Sequence, residues 1–223
     1  GRGLPGVFGA PVREFNDWVR DLLAAQGLEV RLVDSLERSL VMEACVDALA
    51  REGKVPGGGA PRFPAGLVRH LLAAVTKLKQ AAVTPEEYAK IAAGDWDAFL
   101  AEAYARYQAV LLGRGLYDIP GLYWEACLLC DGDGPVRALE GLELVALDGF
   151  DDFTPSQLRL VLALARRVPR VVVGLNHDPD PDLTDLYALS SATAERLRGA
   201  WHPEERVFPS PAPATFTGFA ATA

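Results

Sequence analysis

The sequence has no run of about eighteen apolar residues, and its N-terminus carries no basic segment leading into an apolar stretch. Those two absences exclude a helical membrane span and a secretory leader, so the sequence predicts a soluble, cytoplasmic protein. Cysteine is scarce: Cys45, Cys127 and Cys130 are an odd set in a chain of 223 residues, which excludes a disulfide framework and fits a reducing compartment. Basic residues are also in short supply, 22 against 30 acidic ones, for a formal charge of −8. An acidic field repels polyanions, so any nucleic-acid contact must come from a local basic strip or from a partner. The first residue is Gly1 and the only methionine is Met42. The sequence therefore reads as part of a longer protein whose natural start lies upstream.

Half of the residues are apolar, ample for a folded core, and most of the chain patterns them as helices. From Val12 to Gln26 apolar residues recur every three or four positions (Phe15, Trp18, Val19, Leu22, Leu23), and Gly27 ends the run. Ser35 to Ala50 repeats the pattern, with Ser35 as the expected N-cap. The segment REGKVPGGGAPRFP, Arg51 to Pro64, specifies a loop, and a helix from Ala65 to Gln80 follows it. TPEE at Thr84 to Glu87 supplies a cap, a proline at the first helical position and two acids against the helix dipole. Further helices are predicted from about Trp96 to Leu112 and from Asp118 to the DGDG at Asp131 to Gly134. The only strand expected in this half lies around Gly6 to Phe8.

At Leu142 the character changes. LELVAL is a short, near-continuous apolar run of the kind that suits a strand covered on both faces of a parallel sheet. Thr154 caps the next helix, with Pro155 at its first position and Gln157 completing a T-x-x-Q capping box. RVVVGL, Arg170 to Leu175, is a second strand, giving a β-α-β unit with an expected right-handed crossover. A helix from about Thr184 to Arg198 and a Pro/Ala/Thr-rich tail complete the chain. Two strands leave backbone groups unpaired at both edges, so more strands are expected outside this sequence.

Asp148 stands at the carboxyl end of the first of these strands, the edge of a parallel sheet at which ligands bind. A carboxylate there either holds a magnesium ion for nucleotide chemistry or simply forms the turn. Residue type and spacing leave both open.

The stretch LVALDGFDDFTPSQLRLVLAL resembles the Walker B segment of UvrD/Rep-type superfamily I helicases, an apolar strand followed by D-E-F-Q-D and a helix carrying Q. Asp148, Phe150, Asp152 and Gln157 fall at matching positions. VVVGLNHDPDPDLTDLY stands where that family has motif III, with Gly174 and Tyr187 retained. YQAVLLGRGLYDIPGLYWEA resembles the segment upstream of Walker B, Asp118 matching its first aspartate, and GVFGAPVREFNDWVRDLL with RLVDSLERSLVMEACVDAL resembles the start of the helical insertion domain. Within the family the phrase looks most like AddB-type subunits of AddAB helicase-nucleases.

The resemblance implies an α/β fold: a partial RecA-like P-loop NTPase domain, built on a parallel sheet, with a mostly α-helical insertion domain. The insertion would occupy residues 1–115, the second half of the RecA-like domain 116–207, and a linker 208–223. It implies a degenerate helicase-like subunit of a helicase-nuclease in double-strand-break repair, guiding single-stranded DNA and scaffolding an AddA-like motor, with no membrane partner. ATP and magnesium belong at most to the parent protein, as do a nuclease domain and an iron-sulfur cluster.

The departures fit that assignment. Gly149 replaces the glutamate that would polarise water, a contribution of roughly 10²–10⁴-fold in rate. Asp148, Asp152 and Gln157 remain as remnants of the magnesium-nucleotide site, Asp152 expected to cap the helix or pair with a base. The phosphate-cradling loop G-x-x-x-x-G-K-[ST] is absent, since GGGAPR at Gly57 lacks the lysine and a preceding strand. An active superfamily I helicase and a protein-interaction scaffold without a DNA role are the alternatives.

For DNA the candidates are Arg62, Arg69, Lys77 and Lys79, the one concentrated basic strip, with His70 among them. A solvated helix face is the plainer reading of each. No metal site is expected: Cys127-x-x-Cys130 has no second pair, and NHDPDPDLTD lacks the glycine and terminal glutamate of a calcium loop. Trp18, Trp96 and Trp124 are expected in the core.

Overall fold

The computed structural model describes residues 12–57, 65–176, 185–201 and 203–206, so Gly6 to Phe8, Arg62 and most of the NHDPDPDLTD loop lie outside the described residues. The fold is α/β and predominantly helical. Eight helices accompany two separate parallel pairs of strands among the described residues.

Helix α1, Phe15–Ala25, is followed by a two-residue strand β1, Arg31–Leu32, and by α2, Ser35–Arg51. The cap of α2 is Asp34, not Ser35: its carboxylate accepts from the Glu37 backbone N–H, and the Glu37 side chain accepts from the Asp34 N–H. The cap thus sits one residue earlier than expected, where an acid and a glutamate satisfy two helix-end donors as a capping box. Next come α3, Ala65–Gln80, α4, Pro85–Ile91, and α5, Asp95–Gly113. Thr84 and Glu87 form the capping box of α4, with Pro85 at its start.

Strand β2, Leu116–Tyr117, lies parallel to β1, with Arg31 opposite Leu116 and Leu32 opposite Tyr117. Neither strand is visible as a pattern, because two residues carry no alternation. Asp118 then caps α6, Ile119–Asp131, accepting from the Gly121 N–H at 2.9 Å.

Strand β3, Leu144–Leu147, helix α7, Pro155–Arg167, and strand β4, Arg170–Val173, form the expected unit, and the strands pair in parallel from Leu144–Arg170 to Leu147–Val173. Among the described residues the sheet is not covered on both faces. Val145, Leu147, Val171 and Val173 pack against the core, whereas Leu144, Ala146 and Val172 on the other face are exposed. Helix α8, Ala188–Trp201, closes the described chain.

Two large cores divide these elements. Met42, Val46, Leu49, Val75, Phe99, Tyr104 and Tyr107 knit α2, α3 and α5. The other core joins Val19, Leu22 and Leu23 of α1 to Leu122 and Ala126 of α6 and to Leu160 and Leu164 of α7. Helix α1 therefore belongs with the α6–α7 unit, and the chain leaves that unit after β1 and returns to it at β2. Residues of roughly 34–115 pack largely in the first of these cores, and the strands that flank that stretch, β1 and β2, lie side by side. Trp96 departs from its expected core position: it is 58% exposed at the start of α5, its ring edge-on to Phe99. Among the described residues no helix is long and apolar enough to cross a membrane.

Candidate nucleotide-site remnant and a buried ion pair

The turn after β3 is built by aromatic packing. Phe150 stacks on Phe153 with ring centroids 4.7 Å apart, and Phe15 of α1 meets the Phe150 edge at 5.4 Å and Tyr123 of α6 at 5.4 Å. These rings fix the path of Asp148 to Phe153 and carry it into the Thr154 cap. Thr154 Oγ1 accepts from the Gln157 N–H at 3.3 Å, and Gln157 Oε1 accepts from the Thr154 N–H at 2.9 Å. Gln157 Nε2 also donates to the Tyr123 hydroxyl, which donates to Asn16 Oδ1 at 2.7 Å. Both ends of the Gln157 amide are thus engaged in holding α7 to its surroundings.

Asp148 is exposed at the carboxyl end of β3, and its carboxylate lies against the end of β4. A Cβ on Gly174 would stand 2.8 Å from Asp148 Oδ1, so a side chain there would require the Asp148 carboxylate to move. The backbone N–H of Gly174 donates to the Leu147 carbonyl at 2.8 Å and extends the ladder by one bond. Asp148 and Gly174 are therefore brought together. Tyr187 is not joined to them by any hydrogen bond among the described residues; its carbonyl accepts from Ser191 at the start of α8.

The acids that follow hold α8. Asp152 accepts from Arg196 at 2.8 Å and from the Thr193 hydroxyl at 3.2 Å, and the Asp151 main-chain carbonyl accepts from the same hydroxyl at 3.1 Å. Gly149 has φ +79°, in the left-handed region where a side chain is strained by about 1–2 kcal/mol. Asp148 is the one acid of this turn with no partner among the described residues. One such carboxylate, with no phosphate-cradling loop in the chain, does not make a complete site for magnesium and a nucleotide.

The basic strip divides. Arg69, His70 and Lys77 are exposed on α3. Lys79 is not on that surface: it is 1% exposed, its ammonium paired with the Asp118 carboxylate and donating to Gln108 Oε1 at 2.8 Å. The side chain lies over the rings of Trp124 and Tyr107, 5.7 and 5.9 Å from their centroids. Tyr107 donates to Asp118 Oδ2 at 3.2 Å and accepts from Arg38, which also reaches Thr76. Burial lowers the pKa of the Lys79 ammonium, and the adjacent Asp118 carboxylate pulls it back up. Lys79 is thus removed from the set that could meet DNA, because its charge is spent inside the protein. The pairing spans 39 residues of sequence, and the only local sign of it is the N-cap role of Asp118.

Cys127 and Cys130 are buried free thiols, with Cys127 Sγ 3.6 Å from the Ser156 carbonyl. Burial pushes their pKa values to about 12 and about 11. Arg167, in the last turn of α7, donates to the carbonyls of Cys130 and Gly134 and closes the end of α6. Neither a scan against protein-family models nor a search of curated proteins finds a match for this chain.

Proposed function

We propose that the chain is part of a degenerate superfamily I helicase-like protein of the AddB type, in which a RecA-like nucleotide site has lost its chemistry and persists as a scaffold. The α1–α6–α7 unit with β3 and β4 would be the second half of the RecA-like domain, and residues of roughly 34–115 its helical insertion. The observation that carries this reading is the state of the turn after β3. Asp148, the magnesium ligand on this reading, lies beside Gly174, while Gly149 offers no base and Asp152 and Gln157 are spent on α8 and α7. Without a group to orient and deprotonate water, the site has no route to hydrolysis. The protein's role in double-strand-break repair would then be to guide one DNA strand and support an AddA-like motor, with ATP and magnesium bound at most by the parent protein.

Strand contact would run along the exposed face of α3, through Arg69 and Lys77. In the complete protein, Arg69→Ala with Lys77→Ala is expected to weaken single-stranded DNA binding, measured by anisotropy of a labelled oligonucleotide. The salt slope should fall by about one unit for each phosphate no longer neutralised. An unchanged slope would remove α3 from the DNA path.

A further inference from the structure

Helices α5 and α6 both pack on α3, and an open groove of about 310 Å³ runs between them. Its α5 wall presents Ala105, Ala109 and Leu112, and its α6 wall presents Gly121, Glu125 and Leu128, each set spaced along one helix face. Alanine and glycine keep both walls low, so a docked backbone can come close. Two large apolar side chains stand at the rim in water: Leu112 is 48% exposed and Leu128 62%. Trp124 offers its ring inside, its indole N–H already satisfied by the Lys79 carbonyl at 2.9 Å.

The charge of the groove is one-signed. Among the described residues Lys79 is the only cation lining it, and it is neutralised by Asp118. Glu86 and Glu125 remain, and neither forms an ion pair with a base among the described residues. Glu125 is half-buried, and burial raises its carboxyl pKa, the mark of a carboxylate without a counter-charge. A phosphate backbone would be repelled here. A cation beside Glu125 with an apolar side chain between Leu112 and Leu128 would satisfy both features.

We propose that the groove between α5 and α6 docks a basic amphipathic helix of a partner protein, with leucine-type side chains seated over Trp124 and a lysine or arginine on Glu125 and Glu86. Helix-in-groove recognition has this composition, apolar anchors giving affinity and charge giving orientation. The net charge of −8 attracts such a segment from a distance and the groove gives it a place to stop. The groove would serve this role whether or not the chain belongs to a helicase-like protein.

The probe is a fluorescein-labelled helical peptide of about eighteen residues made of leucine and lysine, with a glutamate-for-lysine version as its counterpart, read by anisotropy. Glu86→Lys with Glu125→Lys is expected to weaken lysine-peptide binding at least ~tenfold, whereas the same charge change at Glu195 and Glu204, on and after α8, should alter it less than about threefold. Ala109→Trp fills the groove without changing charge and should also weaken binding at least ~tenfold; its exposed position preserves the fold, checked by circular dichroism. Equal losses at both pairs of sites, full binding by Ala109→Trp, or equal binding of the glutamate peptide would overturn the proposal. So would a concentration-dependent dimer abolished by Ala109→Trp, which would assign the groove to a second copy of the chain.

Discussion

Asp148 and Asp118 show how one residue type takes two roles according to its surroundings. Asp118 is 1% exposed and carries three structural tasks at once: N-cap of α6, partner of Lys79 and acceptor from Tyr107. Asp148 stands in water with its carboxylate against Gly174. The thiols are a case of burial abolishing reactivity, since the thiolate is the attacking species and burial disfavours it. With Cys127 near 12, Cys130 near 11 and Cys45 also raised, the native protein should resist Ellman's reagent at pH 8 and release all three thiols in guanidinium. Rapid labelling of Cys127 or Cys130 in the folded protein would show that α6 is not packed as described. Glutamate at position 149 would meet a left-handed backbone and be strained by about 1–2 kcal/mol.

At the scale of elements, the Lys79–Asp118 pair binds α3 to the start of α6, with Gln108 and Tyr107 of α5 completing the contact. Gly121 makes it possible: a Cβ there would stand 2.8 Å from Asp118 Oδ1 and 3.0 Å from Lys79 Nζ. Removing one partner of a buried pair strands the other charge, so Asp118→Ala should cost about 3–5 kcal/mol in urea unfolding. Gly121→Ala, which crowds both groups, should cost about 1–3 kcal/mol. Asp118→Ala costing less than about 1 kcal/mol would mean that the pair is solvated, not buried.

The same elements separate what the sequence tells from what it hides. The bounds of α3, the Thr84 and Thr154 caps and the start of α6 at Asp118 are legible because capping is local and needs only a few neighbouring residues. The cap of α2 lies one position from the one expected, since Asp34 and Ser35 are both good caps and only geometry chooses between them. Of the candidate site, the Asp148 turn is readable from its strand-turn-helix order. The Lys79 pairing is not, because a lysine in a basic run gives no sign of pointing inward.

Among the described residues, the chain builds two large cores and crosses between them twice. Strands β1 and β2 mark the crossings, and the pairing of Arg31 with Leu116 is invisible in the sequence because each strand is two residues long. That arrangement puts α1 beside α6 and α7, from where Phe15 reaches the Phe150 ring and steadies the turn that holds Asp148. The near-continuous apolar run of LELVAL predicts cover on both faces of the sheet, yet Leu144 and Val172 stand in water on one of them.

In the proposed role, the turn after β3 would be a nucleotide site that has lost its chemistry. The direct measurement is steady-state ATP hydrolysis on single-stranded DNA by the complete protein, free of any motor subunit, with and without Asp148→Ala. Turnover should stay at background in both, and Gly149→Glu should not raise it. Brisk hydrolysis that falls by roughly 10²-fold or more on removal of the Asp148 carboxylate would contradict the claim.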